Sequence, residues 1–143
     1  MNAFVKFNKG LLGMPLPWQV WVMLLTALNA VVPFFYLDRP EARVILAVMV
    51  LNAALMVAIT GLAGFTRILG LGHFLWFGLL YYLWTQLGAI PAGDFYGGWI
   101  RAVMVVNAIS LAIDVVDVAR YLGGDRAETV PGLSEGGTRL PRA

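Results

Sequence analysis

The sequence predicts an all-α integral membrane protein built as a four-transmembrane-helix bundle, and three observations lead to this prediction. Of the 143 residues, 60% are hydrophobic and 13% are charged, whereas soluble domains contain roughly 45–50% apolar and about 25% charged residues. Long uncharged segments recur along the chain, each close to the roughly 20 residues that cross a bilayer. Glycine, proline and charged residues separate these segments, as expected of short loops.

The first three predicted spans are uncharged. Residues 18–37 and 44–65 contain no charged side chain and are long enough to cross a bilayer. Residues 74–90 are also uncharged but form a shorter segment. Pro91 and the glycines after it mark the turn that ends this third span.

The fourth predicted span, residues 99–121, contains charged residues. Its uninterrupted apolar run covers only residues 102–113, and a run of about twelve residues also fits an interfacial helix. We expect this segment to cross, because Arg101 and Arg120 lie near its ends, where long side chains reach the membrane surface. Residues 17–122 therefore form the predicted transmembrane domain.

Two segments flank this domain. Residues 1–16 carry large apolar side chains at a 3-4-3 spacing, at Phe4, Phe7, Leu11 and Met14. This spacing predicts an amphipathic helix lying in the membrane interface, and a mobile N-terminus is the alternative. Residues 123–143 are rich in glycine, proline and charge and have few large apolar residues, which predicts a disordered tail.

Basic residues are distributed unevenly between the two ends of the predicted bundle. Seven lie on the side that holds both termini: Lys6, Lys9, Arg67, Arg120, Arg126, Arg139 and Arg142. Three lie on the other side: Arg39, Arg43 and Arg101. Positive charge collects on the cytoplasmic side, so both termini are expected in the cytoplasm. Without a large soluble domain, the chain fits a bacterial inner membrane.

A short internal repeat connects the second and fourth predicted spans. Residues 47–53 read AVMVLNA and residues 102–108 read AVMVVNA, with six of seven positions identical. The offset of 55 residues approximates one helical hairpin, which suggests a duplicated hairpin with pseudosymmetry about the membrane normal. Chance similarity between apolar segments is the alternative.

Several uncharged polar residues lie inside the predicted spans. An amide or hydroxyl in hydrocarbon requires a partner, so interhelical hydrogen bonding is the expected role, with a polar cavity as the alternative. In the first span, Gln19, Thr26 and Asn29 share one helical face. The predicted interhelical contacts are Gln19, Asn29, Asn52, Asn107 and Ser110.

The fourth span carries a polar stripe. Asn107, Ser110, Asp114, Asp117 and Tyr121 recur at a 3-4-3-4 spacing and therefore share one helical face, which should point to protein or water. Asp114 lies about seven residues, or roughly 10 Å, inside the end of the span. Its ionised form is costly there unless it has a partner.

Three more residues are expected at the same end as the two aspartates: Arg67, His73 and Arg120. In one interpretation they pair with Asp114 and Asp117 and close the bundle. In the other, a desolvated Asp114 binds and releases a proton or a cation. The acidic residues at the opposite end, Asp38, Glu41 and Asp94, are expected to be solvated.

The composition excludes several functions. The chain has no cysteine and one histidine, His73. One chain therefore cannot build a redox disulfide, a two-histidine haem site, a zinc site of ordinary ligand count or a cysteine-bound cluster. We expect no cofactor and no metal. The sequence contains no GxSxG or phosphate-loop motif, which predicts a protein that is not an enzyme. The basic residues form no stripe, so nucleic acid is not an expected partner.

The leading expectation is a small non-enzymatic membrane protein acting through helix contacts, either as a homo-oligomer or as an accessory subunit of a larger membrane complex. Ala54 and Ala58, and Ala108 and Ala112, have the small-xxx-small spacing that permits close helix approach. One alternative is a small proton- or cation-coupled transporter or channel that uses the aspartate stripe. A third interpretation is a lipid- or quinone-binding protein.

Overall fold

The computed structural model describes residues 1–133, and this part of the chain is helical and contains no β-strand. Helix α1 covers Ala3–Gly13. Four longer helices follow: α2 at Leu16–Tyr36, α3 at Pro40–Ala63, α4 at Arg67–Ala89 and α5 at Phe95–Leu122. Each of the four is long and apolar enough to cross a membrane. The predicted all-α fold with four span-length helices is therefore confirmed.

The helix ends differ from the predicted spans in two places. Helix α4 begins at Arg67 with a 3-10 turn, Arg67–His73, that precedes the regular helix from Leu75. Helix α5 runs without a break for 28 residues. It begins after Asp94, whose carboxylate caps the N-terminus by accepting a hydrogen bond from the Gly97 amide at 2.7 Å. This helix contains the whole of the predicted fourth span, residues 99–121.

The four long helices form a bundle with a defined order of neighbours. Helix α3 packs against α2 and α4, and helix α5 packs against the same two helices. Helices α3 and α5 therefore occupy opposite corners. In this order, the α2–α3 pair lies beside the α4–α5 pair. That the second pair is a duplicate of the first stays a prediction.

The bundle core contains the inward-facing residues of these helices. Trp76, Leu79 and Leu83 of α4 follow a helical spacing and are buried against the neighbouring helices. Ile45 of α3 and Ile100 of α5 are fully buried in the same cluster. This close packing fixes the rotation of α4, and with it the direction of the polar side chains near its first turn.

Helix α2 changes from α-helix to a π turn at Ala27–Val31 and then to a 3-10 turn. Pro33 lies just after the π turn; it has no N–H to donate, and its ring would clash with the carbonyl four residues earlier in a regular helix. Two side chains donate hydrogen bonds to backbone carbonyl oxygens in this region. Trp99 Nε1 donates to Leu28 O at 2.9 Å, and Asn29 Nδ2 donates to Leu25 O at 3.0 Å.

The two flanking segments meet at the same end of the bundle. Phe7 and Leu11 of α1 pack around Phe65, beyond the end of α3. Val130 is buried in the same cluster, and the Thr129 amide donates to Phe65 O at 3.0 Å. The beginning of the predicted tail thus packs on the bundle, because Val130 supplies apolar surface in a polar segment. Residues 134–143 of the predicted tail lie outside the described residues.

Candidate functional site

Six charged or titratable side chains gather where α4 begins and α5 ends, and we call them the charge cluster: Arg67, His73, Asp114, Asp117, Arg120 and Asp125. The first five are the residues that the sequence predicted for this site. Asp125 follows α5 and was not predicted. The structure therefore brings together all five predicted residues and adds a third carboxylate.

Arg67 connects two of the carboxylates. Its Nη1 donates to Asp117 Oδ1 at 2.6 Å, and its Nε donates to Asp125 Oδ2 at 2.8 Å. Arg120 Nη2 also donates to Asp125 Oδ2, at 2.9 Å. A guanidinium stays charged in proteins and presents several donors in one plane, which suits this bridging position. Arg67 thereby links the start of α4 to α5 and to the segment after α5.

His73 forms the second pair of the cluster. Its Nδ1 lies 2.9 Å from Asp114 Oδ2, and the two side chains are 14% and 16% exposed. A neutral imidazole with its hydrogen on Nδ1 donates to this carboxylate, and a protonated imidazole forms an ion pair with it. The His73 ring also stacks on Trp76, with centroids 4.1 Å apart and an angle of 1°. Trp76 is fully buried and holds the imidazole in this position.

Asn52 of α3 links the His73–Trp76 stack to a neighbouring helix. With its amide oriented to satisfy both neighbours, the oxygen accepts from Trp76 Nε1 at 2.9 Å and the nitrogen donates to Gly72 O at 2.9 Å. Contacts therefore run from Asp114 through His73 and Trp76 to Asn52. The indole that supports the imidazole is itself held by a neighbouring helix.

Asn29 and Asn107 form a reciprocal amide pair between α2 and α5. Asn29 Nδ2 donates to Asn107 Oδ1 at 2.9 Å, and Asn107 Nδ2 donates to Asn29 Oδ1 at 2.8 Å. Both side chains are fully buried. Ser110, one turn further along α5, is also buried, whereas Thr26 on α2 is exposed. These amides fasten two helices together rather than lining an open cavity.

Gln19 has a different role from the other predicted polar contacts. Its Nε2 donates to Leu12 O at 3.0 Å and to Met14 O at 2.8 Å. Both carbonyls belong to the end of α1 or to the residue that follows it, where a helix leaves carbonyls without internal partners. Gln19 therefore joins α2 to α1 and does not reach another long helix.

Glu41, at the opposite end of the bundle, is a polar residue whose burial the sequence analysis missed. It is 8% exposed and accepts a hydrogen bond from the Tyr96 hydroxyl at 2.7 Å. Arg39 lies over the Tyr96 ring at 4.6 Å, and hydrogen bonding to Tyr96 raises the pKa of this guanidinium. The spacing held a signal: Glu41 lies four residues before Ile45 and eleven before Asn52, so all three share one helical face.

Two outward surfaces complete the candidate sites. On α3, a groove of about 460 Å³ is bounded by Leu37, Arg43 and Val50 and has Ala47 in its wall. At the end of the bundle that holds the charge cluster, a groove of about 240 Å³ lies between α4 and α5, and Asp114 is in its wall.

The outward faces of α3 and α5 carry small residues among large apolar ones such as Val50 and Val105. All four alanines of the predicted small-xxx-small pairs are exposed: Ala54, Ala58, Ala108 and Ala112. Because α3 and α5 lie at opposite corners, these two faces point away from each other. Helix α4 differs, since its outward face carries large aromatic side chains such as Phe77 and Trp84.

In residues 1–133, no group of three or more His, Cys, Asp or Glu side chains is arranged to hold a metal ion. No protein family, curated protein or solved structure matches the chain. The proposed function therefore depends on the geometry of the described residues.

Proposed function

We propose that the chain is a non-enzymatic integral membrane protein that works through helix contacts, as a homo-oligomer or as an accessory subunit of a larger membrane complex. Membrane insertion is supported by large apolar side chains that point outward, including Phe35 at 76% and Trp84 at 69% exposure. Surfaces this apolar require lipid or protein around them. The excess of basic residues near both termini supports an orientation with cytoplasmic termini, and the proposed location is a bacterial inner membrane.

The observation that carries this proposal is the groove on α3. Its wall contains Ala47, and the same outward face continues through Ala54 and Ala58 over about 16 Å of helix. Helices in lipid associate by close van der Waals contact, which small side chains permit and large ones prevent. A partner helix therefore finds on α3 a surface that lets its backbone approach closely.

The charge cluster has a supporting role in this proposal. Arg67 neutralises Asp117 by direct contact at 2.6 Å, so this pair closes one end of the bundle. A bundle held internally in this way presents its outward faces in fixed positions. Outward faces in fixed positions suit a protein that functions by binding a partner helix.

Association in a bilayer tests the proposal. Fluorescence energy transfer between two labelled populations in liposomes measures self-association, and native mass spectrometry of gently extracted protein detects a foreign subunit. We expect the double substitution Ala54→Leu and Ala58→Leu to weaken either association by about tenfold or more. Gly78→Leu is the matched control, since Gly78 lies on the outward face of α4 with no atom within 4 Å of an added Cβ.

Two outcomes would contradict the proposal. The first is a wild-type protein that is monomeric in liposomes and is extracted without any partner. The second is an equal effect of the α3 substitutions and of Gly78→Leu, which would mean that the small-residue face has no special role.

A small proton- or cation-coupled transporter is the second candidate, because Asp114 lies in the wall of an open groove. Proton flux into proteoliposomes tests it: Asp114→Asn should abolish coupled flux in folded protein. Unchanged flux in this variant, or an absence of flux in wild type, would remove this candidate. A co-purifying apolar ligand in the mass spectra would instead favour the lipid- or quinone-binding interpretation.

A further inference from the structure

Helix α1 has an outward face that contacts no other part of the bundle core. At about 100° of rotation per residue, Phe4, Val5, Asn8, Lys9 and Leu12 lie within about 140° of the helix circumference. All five are exposed, Phe4 at 61% and Leu12 at 75%. The Asn8 amide donates to Phe4 O at 2.8 Å, within the helix itself. The outward face of α1 therefore combines three large apolar side chains with one ammonium group.

The opposite side of α1 packs on the bundle. Phe7 belongs to the cluster around Phe65, and a Cβ added at Gly10 would overlap the Phe65 ring. Ala3 lies beside Gly61 in the last turn of α3, where an added Cβ would be 3.2 Å from the Ala3 Cβ. Two hydrogen bonds join the other end of α1 to the start of α2. Helix α1 therefore extends across the end of the bundle, from the last turn of α3 to the first turn of α2.

This position is the level of a membrane surface. The last turn of α3 and the first turn of α2 are both ends of span-length helices, and a span leaves the hydrocarbon core at its ends. Leu16 and Trp18, at the start of α2, are exposed, and tryptophan is enriched at the headgroup level. A helix at this level with an apolar outward face lies at the boundary between headgroups and acyl chains.

The charge that remains without a partner at this end of the bundle is positive. Each carboxylate among the described residues here has a partner: Glu128 has Lys6, Asp114 has His73, Asp117 has Arg67, and Asp125 has Arg67 and Arg120. Within residues 1–133, Lys9 and Arg126 form no ion pair, and both are exposed. A leaflet that contains anionic lipids attracts exposed Lys and Arg side chains near its surface.

We infer that the outward face of α1 binds an anionic phospholipid. The Lys9 ammonium lies at the headgroup phosphate, and Phe4 and Leu12 contact the upper part of the acyl chains. Lys9 is at the edge of the outward face, so its long side chain reaches the headgroup while its stem stays on apolar surface. The inference rests on the membrane insertion of the four long helices, which is part of the proposed function, and not on their assembly with a partner helix.

Other occupants fit this face less well. A second copy of the chain, related by an axis normal to the membrane, would present the same face. Two Lys9 ammonium groups would then share an interface to which this face contributes no carboxylate. A zwitterionic lipid supplies apolar surface but no net negative charge. An anionic phospholipid satisfies both the apolar side chains and the ammonium group.

Fluorescence quenching in liposomes tests the inference on the full chain. The chain contains no cysteine, so a fluorophore on Val5→Cys, one turn before Lys9, reports on the outward face of α1 alone. The quenchers are phosphatidylglycerol and phosphatidylcholine with brominated acyl chains, each diluted into unbrominated phosphatidylcholine. Bromine quenches a fluorophore that it contacts, so the two quenching curves give the relative affinity of the two lipids for this face. We expect phosphatidylglycerol to bind about fivefold more tightly.

Three charge variants of the labelled protein identify the group responsible. Lys9→Gln should remove the preference for phosphatidylglycerol, and Lys9→Arg should keep it because the positive charge is retained. Arg43→Gln is the matched control, since Arg43 is exposed at the opposite end of the bundle. This control should leave the preference at the Val5→Cys label unchanged. Lys9 is exposed, so its substitution leaves the packed side of α1 intact.

A second label separates this inference from the proposed function. Tyr81 is 73% exposed on α4, and a fluorophore on Tyr81→Cys should be quenched by both lipids if the long helices cross the membrane. Quenching at position 81 but not at position 5 would overturn the inference alone, and quenching at neither position would overturn membrane insertion as well. Equal affinity of the two lipids at position 5, or a preference that persists in Lys9→Gln, would also overturn the inference.

Discussion

The reciprocal amide pair between Asn29 and Asn107 allows a quantitative test of what holds the bundle together. Both side chains are fully buried and exchange hydrogen bonds of 2.9 and 2.8 Å between α2 and α5. Replacing either residue by leucine keeps similar volume and removes both bonds. The partner amide then stays buried and loses both of these bonds, although Asn29 keeps its bond to Leu25 O when Asn107 is replaced.

The expected cost follows from these contacts. Two interhelical hydrogen bonds in a membrane protein, at about 0.6 kcal/mol each, contribute about 1.2 kcal/mol. An orphaned buried amide costs about 1–3 kcal/mol more. Each single variant should therefore lower the free energy of unfolding by about 2–4 kcal/mol. The double variant leaves no orphaned partner, so its loss should fall below the sum of the two single losses by at least about 1 kcal/mol.

Reversible unfolding in mixed micelles with increasing sodium dodecyl sulfate measures these free energies. Asn8→Leu is the control, because Asn8 is exposed on α1 and donates to Phe4 O within the same helix. We expect this control to change the unfolding free energy by less than about 0.5 kcal/mol. If the losses of Asn29→Leu and Asn107→Leu simply add in the double variant, the amide pair does not stabilise the bundle and the reasoning is refuted.

Two further predictions concern the end of the bundle that holds the charge cluster. Gly70→Ala should lower the unfolding free energy by about 1–3 kcal/mol, because the added Cβ meets α5 at 2.9–3.1 Å. Gly78→Ala, with nothing within 4 Å, should not destabilise in the same assay, and equal losses in the two variants would contradict the close approach. Arg67→Gln leaves the partly exposed Asp117 carboxylate without its guanidinium partner, whereas Asp125 keeps Arg120, and the change should cost about 1–2 kcal/mol after allowing for solvent screening. Arg126→Gln, an exposed position at the same end, is its control; a similar effect of both would count against the bridging role of Arg67.

The polar stripe of the fourth predicted span shows how far local spacing can be used. A 3-4 repeat places Asp114 and Asp117 on one face of a helix, because that geometry depends only on the helix itself. The assignment of Asp114 to His73 and of Asp117 to Arg67 depends on how α4 is positioned beside α5. The glycines at the start of α4 permit this close position, and sequence spacing on one helix does not encode it.

Glu41 and Gln19 are two further residues whose partners sequence spacing does not predict. Glu41 lies near a helix end, where solvation is the ordinary expectation for a carboxylate, yet Tyr96 of α5 covers it and supplies a donor. Gln19 lies in an apolar helix, where an interhelical partner is expected, yet its neighbours are carbonyls at the end of α1. In both cases the partner comes from a segment whose position only the folded chain defines.

By itself, the sequence determined that the protein is helical, that four helices are long and apolar enough to span a membrane, and which face of the last helix is polar. Hydropathy and helical period are properties of one segment, so one segment is enough to predict them. Only the tertiary structure decided the order of neighbours, the partners of each buried polar group and the position of the two outward grooves. These features arise where side chains of different helices interlock. The Asn29–Asn107 pair joins α2 to α5, and Asn52 of α3 bonds to Trp76 of α4.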